Sequence, residues 1–235
     1  MKNKGIVFFL IGMAAVIIGV IVLDFQSGRP DRKPANPYEL SLDSILAVDP
    51  ALILYKEVRN LKLDFEEPRG IARSGNVLAV VGDQKLITCD LNGKMLKAVI
   101  FDDQPKCVKV TPTRLYIGME KQVLELDSSG VTLSAWNGFY ENSVITSIEW
   151  HQNKLYIADA GSRVVYRFSE TGEKELEFEG KAKEGDVHGF IIPSANFDLA
   201  FDPSGEFWVV NPGKHALENY TTAGTLRGWW DAMSN

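Results

Sequence analysis

The chain has 235 residues, 45% of them apolar, 24% charged, with a formal net charge of -6. That balance excludes a disordered or collagen-like chain and fits one domain or two small ones. Composition names no reaction.

Residues 5–23 read GIVFFLIGMAAVIIGVIVL, without one charge. As a helix they would run roughly 28 Å, close to the roughly 30 Å of a bilayer core. A cleaved signal peptide has a shorter apolar region, and no small-x-small cleavage site follows, since Asp24, Phe25 and Gln26 come next. The segment therefore reads as an uncleaved signal-anchor behind a leader of residues 1–4. Lys2 and Lys4 precede it; Arg29, Arg32 and Lys33 follow, so the charge rule is nearly balanced. A leader of four residues cannot hold a folded domain. The expectation is a single-pass protein with a cytoplasmic N-terminus and an extracytoplasmic C-terminal part.

Residues 34–235 carry 20 Lys+Arg and 29 Asp+Glu. A net-acidic body without a basic run argues against nucleic acid and against binding to anionic lipid headgroups. Residues 24–50 read as a tether, proline-rich at 26–37 (QSGRPDRKPANP), with a short helical turn at 38–47 capped by Ser41. Residues 52–65, LILYKEVRNLKLDF, read as an extended strand.

From there the sequence repeats. VLAVVGDQKLITCDLNGKML starts at Val77, RLYIGMEKQVLELDSSGVTL at Arg114, KLYIADAGSRVVYRFSETGEKE at Lys154 and EFWVVNPGKHALENYTTAGTL at Glu206. Each unit has an apolar strand, a polar turn, a second apolar strand and a hairpin ending in Gly93, Gly130, Gly172 or Gly224. One more short strand precedes each, at 70–72, 107–110, 145–150 and 197–201. A period near 40 with about four strands marks a β-propeller blade. A β-sandwich would give similar strands but no reason to repeat one pattern four times. The fold class is all-β: residues 51–235 form a propeller of about four four-stranded blades, after one transmembrane helix.

The run LYIADAGSRVVYRF resembles the NHL-repeat signature through Tyr156, Ile157, Ala158, Asp159, Arg163, Val164 and Phe168, and EPRGIA at 67–72 is similar to the opening of such a blade. The resemblance spans about residues 52–230. It implies a six-bladed ring serving as a binding scaffold, although a few relatives are enzymes. Six blades would need roughly 250 residues at about 42 each, whereas residues 66–235 hold about four. The expectation is part of a longer ring. It would form an open arc, expose Trp229 or Trp230, and leave 52–65 unpaired or laid on the first blade.

Propellers bind at one end of the central channel, so residues beside the inner strands are the site candidates: Glu67, Arg69, Lys106, Thr146, Asn196, Asp198 and Asn211. His188 joins them from the long insertion at 180–194. The expected ligand is a protein, peptide or glycan, bound without catalysis and without a cofactor. The alternative resembles calcium-dependent lactonase propellers: Glu67, Asn196 and Asp198 around Ca²⁺ or another divalent cation in a metal-dependent hydrolase. The match is one of residue type. No nucleophile elbow, P-loop or dinucleotide fingerprint is present. His151 and His215 read as turn residues, Asp159 as an acceptor for turn amides, and Arg163 as a brace for a neighbouring strand. Cys89 and Cys107 read as small buried hydrophobes rather than a disulfide.

Overall fold

The computed structural model describes residues 4–26, 55–180 and 189–231. The chain divides into two units, Met1–Arg59 and Asn60–Asn235. In the first, α1 (Lys4–Gln26) contains the expected apolar span, and its 21-residue stretch Lys4–Asp24 has a mean hydropathy of 3.2. It is long and apolar enough to cross a membrane. The tether from residue 27, the turn at 38–47 and residues 52–54 lie outside the described residues.

The second unit is built of four antiparallel four-stranded sheets, each running in chain order from an inner to an outer strand. The first holds β1 (Pro68–Ser74), β2 (Val77–Gly82), β3 (Lys85–Asp90) and β4 (Met95–Ile100). The second holds β5 (Cys107–Val110), β6 (Arg114–Gly118), β7 (Val123–Asp127) and β8 (Thr132–Trp136). The third holds β9 (Ile145–His151), β10 (Lys154–Asp159), β11 (Val164–Ser169) and β12 (Lys174–Phe178). The fourth holds β13 (Leu199–Phe201), β14 (Phe207–Asn211), β15 (Ala216–Tyr220) and β16 (Leu226–Asp231). These are the expected repeats, and they are propeller blades.

Both faces of the middle strands are apolar where a blade packs between two others, as the second and third do. Ala79, Val81 and Leu86 of the first blade meet Val108, Leu115 and Ile117 of the second. Tyr116 and Trp136 meet Ile148, Leu155 and Ile157 across the next junction. Tyr156, Ala158 and Val165 meet Leu199, Phe207 and Val209 across the third. The inner strands β1, β5, β9 and β13 stand side by side in that order, and among the described residues β13 does not pack on β1 as the neighbours pack on each other. The blades form an open arc. Trp229 and Trp230 are 68% and 65% exposed at its end.

The hairpins share one device. Asp90 Oδ1 accepts from the Asn92 and Lys94 amides at 2.8 and 2.9 Å, while Gly93 N–H donates to the Asp90 carbonyl at 3.0 Å. Asp127 repeats the pattern before Gly130, and the hydroxyls of Ser169 and Thr221 stand in for the carboxylate before Gly172 and Gly224. The glycine sits at φ near +80°, where a side chain would clash.

Residues 55–65 form no strand, which corrects the expectation for 52–65. Among the described residues no sheet takes the segment in as a further strand. Leu61 instead lies on Gly93, and Asp83 accepts from the amides of Glu66 and Glu67 at 2.6 and 2.8 Å. Lys85 reaches Asp64 at 3.3 Å. Residues 61–67 are laid along the first blade.

Candidate functional site

The inner strands approach closely because small residues let them. A Cβ on Gly70 would stand 3.0 Å from Cys107 Cα and 3.3 Å from the Lys106 carbonyl. Between the four strands lies a cavity of about 960 Å³. Arg69 and Arg73 line it from β1, Lys106 and Lys109 from β5, Thr146, Ser147 and Glu149 from β9, and Asn196 and Asp198 from the approach to β13. Four cations thus face two carboxylates, in a chain whose net charge is -6.

The lining groups also tie blades together. Lys109 pairs with Glu149 across the second and third blades, both side chains less than a quarter exposed. The Thr146 hydroxyl donates to the Phe197 carbonyl and the Ser147 hydroxyl to Asp198, crossing from the third blade to the fourth. Asp198 also accepts from the Leu199 amide at 2.8 Å. Asn196 donates to the Ser194 hydroxyl at 3.1 Å. Of the four cations, Arg69 and Lys109 are ion-paired, with Glu67 and Glu149, and the other two are less engaged. Arg73 spends its Nε on the Gly75 carbonyl at 2.9 Å, and the Lys106 ammonium has no carboxylate partner among the described residues.

Five expected site residues therefore share the cavity: Arg69, Lys106, Thr146, Asn196 and Asp198. Two do not line it. Glu67 pairs with Arg69 at 2.9 Å but lines a neighbouring depression with Asp64, Asp83 and Lys85, because the two amide bonds to Asp83 fold it outward. Asn211 is fully buried. Its Oδ1 accepts from the Ile191 amide at 3.0 Å and its Nδ2 donates to Glu218 at 3.1 Å, so it fixes the insertion to the fourth blade. His188 lies outside the described residues. With Glu67 elsewhere, the three oxygen donors of a divalent ion are not brought together here. Among the described residues no three His, Cys, Asp or Glu are so grouped.

Lys109 and Glu149 escaped the sequence reading, because a pair forty residues apart leaves no local signal. So did Glu218, a buried carboxylate that accepts from Tyr220 Oη at 2.7 Å and Lys214 Nζ at 3.2 Å. Burial and this carboxylate push the Tyr220 hydroxyl far above the phenol range. Asp159 does accept turn amides, from Val144, Gly161 and Ser162 at 2.8, 3.0 and 3.1 Å. Among the described residues Arg163 braces no neighbouring strand; it is exposed at φ +59° in the same turn. His151 is more than a turn residue, since its ring stacks on Phe201 with centroids 4.0 Å apart. Cys89 and Cys107 are free, buried thiols, and burial pushes Cys107 up to about 12.

No family model matches the chain, and no curated protein does. Solved structures do. A streptogramin B lyase is similar with TM-score 0.60 and 14% identity, over 75% of this chain and 58% of that one. Virginiamycin B lyase from Staphylococcus aureus gives 0.55 and 13%, over 71% and 56%. The β-propeller domain of Myceliophteria thermophila Cps50 (Swd1) gives 0.53 and 16%, over 74% and 61%. The chain spans less than two thirds of each. Identities this low carry the propeller fold and nothing of its activity.

Proposed function

We propose that this chain is a membrane-anchored propeller that holds an acidic segment of a partner protein in the cavity between its inner strands, without chemistry of its own. The observation that carries this is the cationic excess of that cavity within an acidic chain. Lys106 and Arg73 offer donors that no carboxylate of the described residues takes up. An anionic ligand would be steered there and held by charge-assisted hydrogen bonds. The NHL-like run at 155–168 supports a scaffold role, since that resemblance implies binding more often than catalysis. The apolar span of α1 supports an anchor, with residues 60–235 on the extracytoplasmic side.

The test is a titration of the full-length protein in detergent with two probes, oligo-glutamate and oligo-lysine peptides. Oligo-glutamate should bind and weaken as salt rises. Lys106→Glu and Arg73→Glu should each weaken it on the order of tenfold. Equal binding of both peptides, or indifference to either charge reversal, contradicts the proposal.

A further inference from the structure

The sequence holds two Asn-Gly steps, Asn92-Gly93 and Asn137-Gly138. In such a step no side chain on the glycine shields its backbone nitrogen from the carboxamide before it. Whether that nitrogen can attack depends on what holds it, and the fold holds the two steps differently.

Gly93 lies in the hairpin between β3 and β4. Its N–H donates to the Asp90 carbonyl at 3.0 Å, and the amides of Asn92 and Lys94 on either side donate to Asp90 Oδ1. Leu61 closes over the glycine, since a Cβ there would stand 3.1 Å from Leu61 Cδ2. To attack, the Gly93 nitrogen must lose its proton, and that proton is committed to Asp90. The hairpin has to open first. Gly138 is held by none of this. It follows β8 outside any sheet, at φ +98°. Its N–H meets no acceptor among the described residues, and a Cβ there would find nothing within 4 Å. Both residues of the step are exposed. The Asn137 carboxamide makes a long bond, from Nδ2 to the Ala135 carbonyl at 3.3 Å.

We propose that Asn137 is a site of spontaneous deamidation, and that its conversion weakens anion binding in the neighbouring cavity. The Gly138 nitrogen, giving up its proton, bonds to Asn137 Cγ. The side-chain nitrogen leaves with that proton as ammonia, and a five-membered imide closes. Water then breaks one of the two C–N bonds of the imide, which leaves aspartate or isoaspartate. Water is the sole co-reactant. The product is a carboxylate, and its place gives it an effect. Asn137 lines a depression of about 590 Å³ with Lys106, Lys121, Asp103 and Glu120. Lys106 also lines the cavity between the inner strands. Two lysines face two carboxylates in the depression, and conversion adds a third carboxylate that competes for Lys106. This second half rests on the acidic-ligand reading above; the reactivity of Asn137 does not.

Trypsin releases the two steps on separate peptides, residues 86–94 and 122–154. The full-length protein in detergent is aged at mildly alkaline pH, folded in one sample and unfolded in urea in another, and mapped by mass spectrometry over time. In the folded protein the peptide 122–154 should exchange NH for O, with fragment spectra placing the change at Asn137, while 86–94 stays intact. In urea the two should convert together. Equal conversion of both in the folded protein, or none at Asn137, overturns the proposal. For the second half, Asn137→Asp and the aged protein should bind oligo-glutamate about two- to fivefold more weakly than fresh protein, the scale of one exposed charge pair. Aged Asn137→Gln should bind as fresh protein does. Conversion at Asn137 with affinity unchanged overturns the link to the cavity and leaves the acidic-ligand reading standing. Fresh protein that does not bind oligo-glutamate overturns that reading and the link with it.

Discussion

The indole of Trp136 lies on Gly172 of the next blade, its Nε1 2.9 Å from where a Cβ would stand. The glycine answers two demands at once: φ of +82° closes the hairpin, and the missing side chain admits the neighbouring ring. Gly172→Ala should therefore cost about 2–5 kcal/mol, the sum of left-handed strain and overpacking. Gly75→Ala, at φ +56° with nothing within 4 Å, should cost only the strain, about 1–2 kcal/mol. Denaturant unfolding of the two variants checks this, and equal losses would count against it.

Asp159 is fully buried and joins the start of the third blade to the turn after β10. It accepts from three amides, from the Ser143 hydroxyl at 2.5 Å and from Tyr166 Oη at 3.3 Å. Asp159→Ala would leave those donors unmet. A loss of about 1–3 kcal/mol is expected, with peptide binding in the cavity unchanged once the protein is folded. Lost binding at unchanged stability would make it a site residue.

Asp202 gives an acid dependence. The Ser204 hydroxyl, then the Glu206 amide and the Trp208 indole, hold its carboxyl at about 2, below the usual carboxylate value. A depressed folded value means the contribution is present above about pH 4 and is lost as pH falls toward 2. Asp90 and Asp127 are lowered in the same way, chiefly by the Lys94 amide and the Ser129 hydroxyl. The unfolding midpoint should therefore drop between pH 4 and 2, and Asp202→Ala should flatten part of that drop. An identical pH profile would rule out this role.

The anchor is tested by fractionation. The full-length protein should stay with membranes through an alkaline carbonate wash, because residues 5–23 carry no charge and are followed by no cleavage site. A shortened, soluble product would contradict it.

Much of this fold was legible because propeller strands announce themselves locally. The apolar pairs around Leu115–Ile117 and Leu155–Ile157 and the hairpin glycines gave the blades and their order. Residues 55–65, read as part of an extended strand, form none, because alternation shows that a strand is possible, not that an edge receives it. The site was legible only in part. Arg69, Lys106, Thr146, Asn196 and Asp198 followed from their places beside the inner strands. Glu67 and Asn211 failed because one backbone bond pattern at Asp83 and one buried carboxylate, Glu218, redirect them. The Lys109–Glu149 pair needed the blades placed side by side.

The central claim is that acidic protein segments bind among the inner strands. Its most direct measurement places an environment-sensitive thiol label at Asn196→Cys, on the cavity wall, and separately at Val131→Cys, on an outer hairpin, in the full-length protein. Cys89 and Cys107 are buried and leave both labels clean. Oligo-glutamate should shift the emission at 196, less so in the Lys106→Glu background, and leave 131 unchanged. A silent label at 196, or equal responses at both positions, would contradict the account.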